Sequence, residues 1–228
     1  MGLKLHDLAE RGDVEGVRAA LSEGADAKDM SSLALRMAAE NGKEQCVALL
    51  IPFSEPKERQ SNALGLAAMN GHAECVALLI PASDPTAGRH QALRLAAEYG
   101  HINCLRLLAA AADHQKDQGW ALVVAAKNGH VECLRLLMPL CKEMASREEA
   151  LYAAAERGQA HCVLELLPLI DFLTIRQSGS RCARSAAARA VEMGHVEIAA
   201  MIEAYLEAED LRESLRGQAQ PSERKVRL

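Results

Sequence analysis

One pattern of apolar and polar positions returns along most of the chain. Residues 63–81 read ALGLAAMNGHAECVALLIP, and residues 34–52, 92–108, 121–139 and 150–168 follow the same order. Apolar residues before the central glycine stand three and four positions apart, as they do on one face of a helix, and those after it favour a second helix. Each unit is therefore predicted to form a helix, a glycine turn and another helix.

The glycine at the turn gives the period of the repeat. Seven such glycines are separated by 30, 29, 29, 29, 29 and 36 residues: Gly12, Gly42, Gly71, Gly100, Gly129, Gly158 and Gly194. Glycine adopts the left-handed conformation that ends a helix without the strain that a Cβ would add. A proline follows four of the second helices and favours their termination. Seven repeats thus cover about residues 3–206.

The repeat around Gly100 shows what is expected of each unit. We predict a short first helix over residues 92–99 and a second helix over residues 103–109, with Leu107 turned toward a neighbouring repeat. The apolar side chains of one such unit cannot offset the entropy of ordering it. Stacking on neighbours must supply the difference, so stability is shared along the array.

The repeats resemble those of the ankyrin family. Residues 62–68, NALGLAA, occupy the slots of the family's T-P-L-H-x-A signature and are followed by Gly71 and His72. The first repeat adds Leu5-His6 and a Gly24-Ala25-Asp26 turn that is similar to the family's hairpin. The inner repeats are four residues shorter than the family's period of about 33. This shorter form looks similar to ankyrin arrays of bacterial proteins.

The resemblance implies an all-α, ankyrin-like solenoid of about seven helix-turn-helix repeats. Because the inner repeats lose their residues between one second helix and the next first helix, the hairpin loops are expected to be shortened or missing. The resemblance also implies that partners bind the concave helical face. Binding through the tips of the hairpins is not expected.

The ends of the array are predicted to act as caps. The repeat domain spans residues 3–216 and is followed by a disordered tail over residues 217–228. The longer step before Gly194 is interpreted as a linker, with a functional loop as the alternative. The predicted subdivisions are an N-terminal capping repeat (3–30), inner repeats (31–168), a longer linker (169–185), and a C-terminal capping repeat with an extended helix (186–216).

Five of the seven cysteines share one slot of successive repeats: Cys46, Cys75, Cys104, Cys133 and Cys162. Adjacent helices lie about 8 to 10 Å apart, whereas a disulfide needs Cα atoms within about 7 Å. We therefore expect these five to be small, buried apolar residues rather than disulfide partners. Cys141 and Cys182 lie outside this series, and either one is a candidate for a more exposed thiol.

A histidine follows the turn glycine in three inner repeats and precedes the cysteine by three residues, at His72, His101 and His130. This H-x-x-C spacing suggests zinc, but a structural zinc site needs about four converging ligands and usually a C-x-x-C element. In the ankyrin family this histidine is a hydrogen-bonding turn residue, and its repetition here favours that role. No phosphate loop or nucleophile elbow is present, so neither an enzyme nor a cofactor is expected.

Composition adds limits on compartment and partners. The 228 residues carry a net charge of −5, and only 3% are aromatic. The acidic balance does not favour nucleic acid as a partner, and no apolar run reaches the about 18 residues of a membrane span. Without a recognisable secretion signal, the chain is expected to be cytoplasmic, or exported without a cleavable signal. A monomer is expected.

The positions directly before each turn glycine differ between repeats, while the surrounding slots barely change. Such variation is expected on a partner-binding surface, although exposed positions without a role would also vary. Trp120, the only tryptophan, stands at the start of a first helix, either as an interface anchor or folded back on the preceding repeat. Tyr99 and Tyr152 would extend an aromatic strip. The candidate partner-binding residues are Glu40, Asn41, Met69, Asn70, Arg94, Glu98, Tyr99, Trp120, Lys127, Asn128, Tyr152, Glu156 and Arg157.

The sequence thus predicts a protein–protein interaction module that recognises a protein or peptide. The alternative from another class is a secreted effector or toxin-associated protein that uses the array to reach its target. An enzyme that uses the 169–185 segment and Cys182 is a third hypothesis, because Cys182 is the only candidate nucleophile.

Overall fold

A computed structural model of the chain describes residues 4–111, 118–170 and 182–219. Within these ranges the chain forms helices and no strand, as predicted. Two short 3₁₀ turns, Ile51–Phe53 and Leu167–Leu169, follow second helices. The α-helices are α1 Leu5–Arg11, α2 Val14–Ser22, α3 Asp29–Glu40, α4 Glu44–Leu50, α5 Glu58–Met69, α6 Ala73–Leu79, α7 Ala87–Glu98, α8 Ile102–Ala111, α9 Gln118–Asn128, α10 Val131–Leu137, α11 Met144–Glu156, α12 Ala160–Leu166, α13 Cys182–Glu192 and α14 Val196–Ala219.

The helices stack in two parallel layers. Each odd-numbered helix, the first of its repeat, packs against the first helices before and after it, from α1 to α13. The even-numbered helices form the second layer in the same way, from α2 to α14. Each first helix also contacts the second helix of its own repeat, so contacts are local to a repeat and its neighbours. This is the layered stack of helix pairs that the sequence predicted.

Small residues at the centre of each first helix allow this close stacking. An Ala-Ala pair is fully buried in every inner repeat, for example Ala96-Ala97 in α7. A leucine three residues earlier, Leu93 in α7, is also fully buried. On the second helices, the cysteine slot and a leucine four residues later, such as Cys104 and Leu108, complete the core. Fully burying each leucine contributes about 1.5 to 3 kcal/mol to stability.

The five cysteines in the repeated slot are buried and unpaired, as predicted. The prediction that Cys141 could be an exposed thiol is wrong, because only 1% of its surface is accessible. The residue lies just beyond α10, where Arg147 donates a hydrogen bond from its Nε to the Cys141 carbonyl at 3.1 Å. The side chain of Cys182 lies outside the described part of the structure.

Helices α3 and α7 open with an irregular turn. The range of α7 begins at Ala87, but Gly88 and His90 have positive φ angles, so its right-handed part begins after His90, close to the predicted residue 92. About seven residues connect most second helices to the next first helix, for example residues 51–57 between α4 and α5. The opening of α3 is irregular, since Met30, Ser31 and Ser32 all have positive φ angles.

The second helices bury a narrower face than predicted. Leu107 was expected to face a neighbouring repeat, but it is exposed on the outer side of α8. Helix α8 has ten residues, and its buried face is already filled by Cys104, Leu105 and Leu108. The prolines behave as predicted, and α4 ends at Leu50, two residues before Pro52.

The last described helix is the longest, with 24 residues. Helix α14 extends past Tyr205 and Leu211 and ends at Ala219, three residues beyond the predicted limit of the domain. Most of the predicted linker, residues 171–181, and the last nine residues, 220–228, lie outside the described ranges. Residues 182–185, which were assigned to the linker, form the first turn of α13. In the described ranges, none of the helices combines the length and apolar character needed to cross a bilayer.

Candidate functional site

The first helices leave one face uncovered by the second layer. On each of them the positions one, two, five, six and nine residues before the turn glycine are partly or fully exposed in most repeats, whereas the positions between them are buried. These positions lie on one side of a helix with 3.6 residues per turn. We call this surface, formed by these positions of α3, α5, α7, α9, α11 and α13, the open face.

All thirteen candidate residues lie on the open face. The position directly before the glycine holds Asn41, Asn70, Tyr99, Asn128 and Arg157, and the one before that holds Glu40, Met69, Glu98, Lys127 and Glu156. Arg94 and Tyr152 stand six residues before their glycines, and Trp120 stands nine before Gly129. Neighbouring helices therefore bring these side chains to one surface.

Trp120 is both exposed and in contact with the preceding repeat. Its side chain is 48% exposed, and the guanidinium carbon of Arg94 on α7 lies 5.6 Å from the centre of its ring. An arginine at this distance from an indole is held by a cation–π interaction. Trp120 therefore contacts the preceding repeat and still leaves about half of its surface accessible.

The other two aromatic residues are also accessible, but the three rings do not form a continuous strip. Tyr99 is 52% exposed and stacks on His101, with ring centres 6.5 Å apart. Tyr152 is 36% exposed on α11. Tyr99 lies one residue before its turn glycine, whereas Trp120 lies nine residues before its own. This difference of eight residues corresponds to about 12 Å along the helix axis. In the described part of the chain, no ring contact joins these three side chains.

Several candidates already have partners within the chain. The amide groups of Asn41 and Asn70 donate hydrogen bonds to carbonyls one turn back in their own helices, at 2.9 and 3.1 Å. Asn128 donates to the Glu98 carbonyl of the preceding repeat at 3.1 Å. These asparagines help to satisfy carbonyl groups near the helix ends.

Glu156 forms an ion pair across two repeats. Its carboxylate lies 2.6 Å from Arg189 on α13, which also contacts Glu192 at 3.0 Å. The hydrogen bond from Arg189 lowers the pKa of Glu156 below its ordinary value, and the same contact raises the pKa of Arg189. This carboxylate thus stabilises the contact between α11 and α13.

The histidines after the turn glycines join successive repeats. Nε2 of His72, His101 and His130 donates to the carbonyls of Glu40, Met69 and Glu98 in the preceding repeat, at 2.9 to 3.0 Å. The other edge of each ring lies on the turn glycine of that repeat, so closely that a Cβ there would be 2.5 Å from Nδ1. We call this contact the histidine clasp. It confirms the hydrogen-bonding role predicted for these residues.

The buried thiols are poor nucleophiles. Burial raises the pKa of Cys75, Cys104, Cys133 and Cys162 to about 11. Since the thiolate is the reactive form, these cysteines are almost wholly protonated at neutral pH.

Sequence reasoning missed the apolar centre of the open face. Five residues before the glycines stand Met37, Leu66, Leu95 and Val124, each partly exposed between the polar candidates. The identical spacing of these four residues from the turn glycines could have indicated them.

Comparisons with known proteins agree with this architecture. The sequence model of a family described as "Ankyrin repeats (3 copies)" matches residues 5–89, 83–146 and 122–209. No curated protein matches the chain. The crystal structure of the human ASB11 ankyrin repeat domain is similar with a TM-score of 0.63 and 22% identity, and the match covers 71% of this chain and 81% of that one. With matches over most of its length, this chain belongs to the ankyrin repeat family.

Proposed function

We propose that this chain is a protein-binding module that recognises a protein or peptide through the open face. Ankyrin repeat domains are generally protein–protein interaction modules on a non-enzymatic scaffold. The observation that carries the proposal is the accessibility of Trp120 and Tyr99, each about half exposed on a surface whose residues differ between repeats. Exposed aromatic residues are frequent anchors of protein interfaces.

The rest of the open face fits this role. An apolar centre with Leu66, Leu95 and Val124 is flanked by charged residues such as Lys127 and Arg157. Interfaces commonly combine an apolar centre with a polar rim. The rigid two-layer stack holds these side chains in place before a partner arrives, which lowers the entropic cost of binding.

A capture experiment tests the proposal. The wild-type chain and a Tyr99→Ala, Trp120→Ala, Arg157→Ala variant would each be immobilised and exposed to lysate of the native cell. A matched control replaces Arg106, Leu107 and Leu164, which are exposed on second helices, with alanine. We expect a protein captured by the wild type and the control to be lost by the open-face variant. Equal capture by all three, or loss only in the control, would contradict the proposal.

A further inference from the structure

The Arg94 side chain lies at the centre of the open face, and among the described residues it has no hydrogen-bonding partner. It is half-buried beside Trp120, and its Nε is inaccessible to solvent and makes no hydrogen bond. The described side chains include no carboxylate in an ion pair with Arg94. Arg135 and Arg189, in contrast, each contact two glutamates of the chain.

This arrangement leaves the end of the guanidinium free for a ligand. Of the nitrogens of Arg94, only Nε is both inaccessible and unpaired, so the two Nη groups reach solvent. The cation–π contact with Trp120 restricts the side chain and reduces the entropy lost when a ligand binds. Two parallel N–H groups fit the two oxygens of a carboxylate, which is the strongest polar pairing available to arginine.

Apolar side chains lie beside Arg94. In the preceding repeat the same slot holds the buried Gly65, whose Cβ position lies 3.6 Å from Leu95 Cδ1. Other repeats fill this slot with Arg36, Val123 or Tyr152. The α5 side of Arg94 therefore carries no side chain in this slot, and the partly exposed Leu66 and Leu95 stand in the next one.

We infer that Arg94, supported by Trp120 and next to Leu66 and Leu95, is a subsite for a carboxylate on an extended, partly apolar segment of the partner. The acid would accept hydrogen bonds from both Nη groups of Arg94. Apolar atoms of the segment would lie against Leu66 and Leu95. This inference rests on the proposed function, and it specifies the chemistry of the partner: an acidic peptide segment.

Selection from a random peptide library tests this chemistry directly, because it needs no identified partner. Dodecamer peptides displayed on phage would be selected on the wild-type chain, with the Arg94→Gln variant as the counter-selection. We expect an aspartate or glutamate next to apolar residues in the enriched sequences. Enrichment of peptides without an acid, or no enrichment, would overturn the inference. The lysate capture decides separately whether the open face binds proteins at all.

An enriched peptide would then be synthesised and its affinity measured from the fluorescence of Trp120, the only tryptophan of the chain. We expect Arg94→Gln to weaken binding about 10- to 100-fold, because a charge-assisted pair is lost. Arg94→Lys keeps the charge but not the two parallel N–H groups, and its affinity should lie between those of the wild type and Arg94→Gln. Arg106→Gln changes the charge equally on the outer side of α8 and should have no effect.

Two further variants separate recognition from folding. Replacing the peptide's acid by its amide should weaken binding to the wild type, but not to Arg94→Gln. Glu98→Gln should tighten binding about two- to five-fold, because it removes a negative charge near the bound carboxylate. Equal loss for acid and amide peptides on both chains would show that Arg94 acts only through the fold, and would overturn the inference.

Discussion

A single turn glycine illustrates how residue type and contact act together in this array. Gly100 has a φ angle of +77°, which a residue with a Cβ adopts only with strain. The ring of His130 lies over it and bonds to the carbonyl of Glu98. Glycine is therefore required at this turn both for its backbone angle and for the histidine clasp.

We predict that Gly100→Ala lowers the free energy of unfolding by about 2 to 3 kcal/mol. The left-handed angle costs about 1 to 2 kcal/mol, and displacement of the ring costs about 1 kcal/mol more for the lost hydrogen bond. Urea denaturation of the two proteins would measure the difference.

Gly194 provides the matched control. Its φ angle is +84°, but no atom lies within 4 Å of an added Cβ. Gly194→Ala should therefore lose only the backbone contribution, about 1 to 2 kcal/mol. If both substitutions lower the free energy of unfolding equally, the ring of His130 does not need a glycine beneath it. The histidine clasp then does not contribute to the need for glycine at position 100.

Gly65 should behave in the opposite way. It lies inside helix α5, its φ angle is not positive, and an added methyl group meets only Leu95 at an ordinary contact distance. Gly65→Ala should raise the free energy of unfolding by about 1 kcal/mol, since glycine is a poor residue for a helix interior. The melting temperature would rise by about 2 to 4 °C. A lower melting temperature would mean that the added methyl group does not fit against Leu95.

At the scale of the helix, the buried cysteines should make the second helices sensitive to alkali. In the folded chain burial raises the pKa of four thiols to about 11, from an ordinary value of 9.0. Above pH 9 the unfolded chain loses these protons while the folded chain keeps them. We therefore expect the contribution of these thiols to the free energy of unfolding to be constant below pH 9. It should fall between about pH 9 and 11.

Urea denaturation at several pH values, under reducing conditions, would check this dependence. Because lysines and tyrosines also titrate in this range, Cys104→Ala serves as the comparison. Its stability should fall less steeply with pH, by up to about 1 kcal/mol per pH unit. Parallel curves for the two proteins would show that the thiol of Cys104 does not contribute.

At the scale of the helix, some features could be predicted from the sequence and others could not. The helix pairs, their turns and the buried cysteine slot follow from spacing alone, because each recurs at a constant distance from a glycine. The left-handed turn at Gly88 and His90 and the exposure of Leu107 do not, because they depend on how each helix meets its neighbours in the stack.

The open face also has features that the sequence could predict and features that it could not. The slots of the open face were predictable, since they repeat with the helix. The contact between Arg94 and Trp120 joins two repeats and depends on side-chain orientation, which a single sequence does not give. The pairing of Glu156 with Arg189 was missed for the same reason, because thirty-three residues separate them.

At the scale of the whole molecule, the described helices pack within a repeat and against the neighbouring repeats. This pattern implies that the array opens from its ends. A terminal repeat is supported on one side and an inner repeat on two. The five thiols of the repeated slot report on this at regular positions along the stack. Under native conditions, we predict that thiol labelling is slowest at Cys104, in the fourth repeat, and faster at Cys46 and Cys162.

Mass spectrometry after pulses of iodoacetamide would give the rate at each cysteine. Rates for the chain unfolded in urea provide the normalisation, since they remove differences in intrinsic reactivity. Identical normalised rates at all five positions would contradict the prediction and indicate a single cooperative unit.

The histidine clasp has a consequence for how such a chain can change in evolution. Since His72, His101 and His130 make the same bond to the repeat before them, loss or duplication of a 29-residue unit would rebuild an equivalent junction at the new boundary. A gene rearrangement of that length needs no compensating substitutions in the core. Lineages could therefore lengthen or shorten the open face in whole steps, while the first and last repeats stay at its ends.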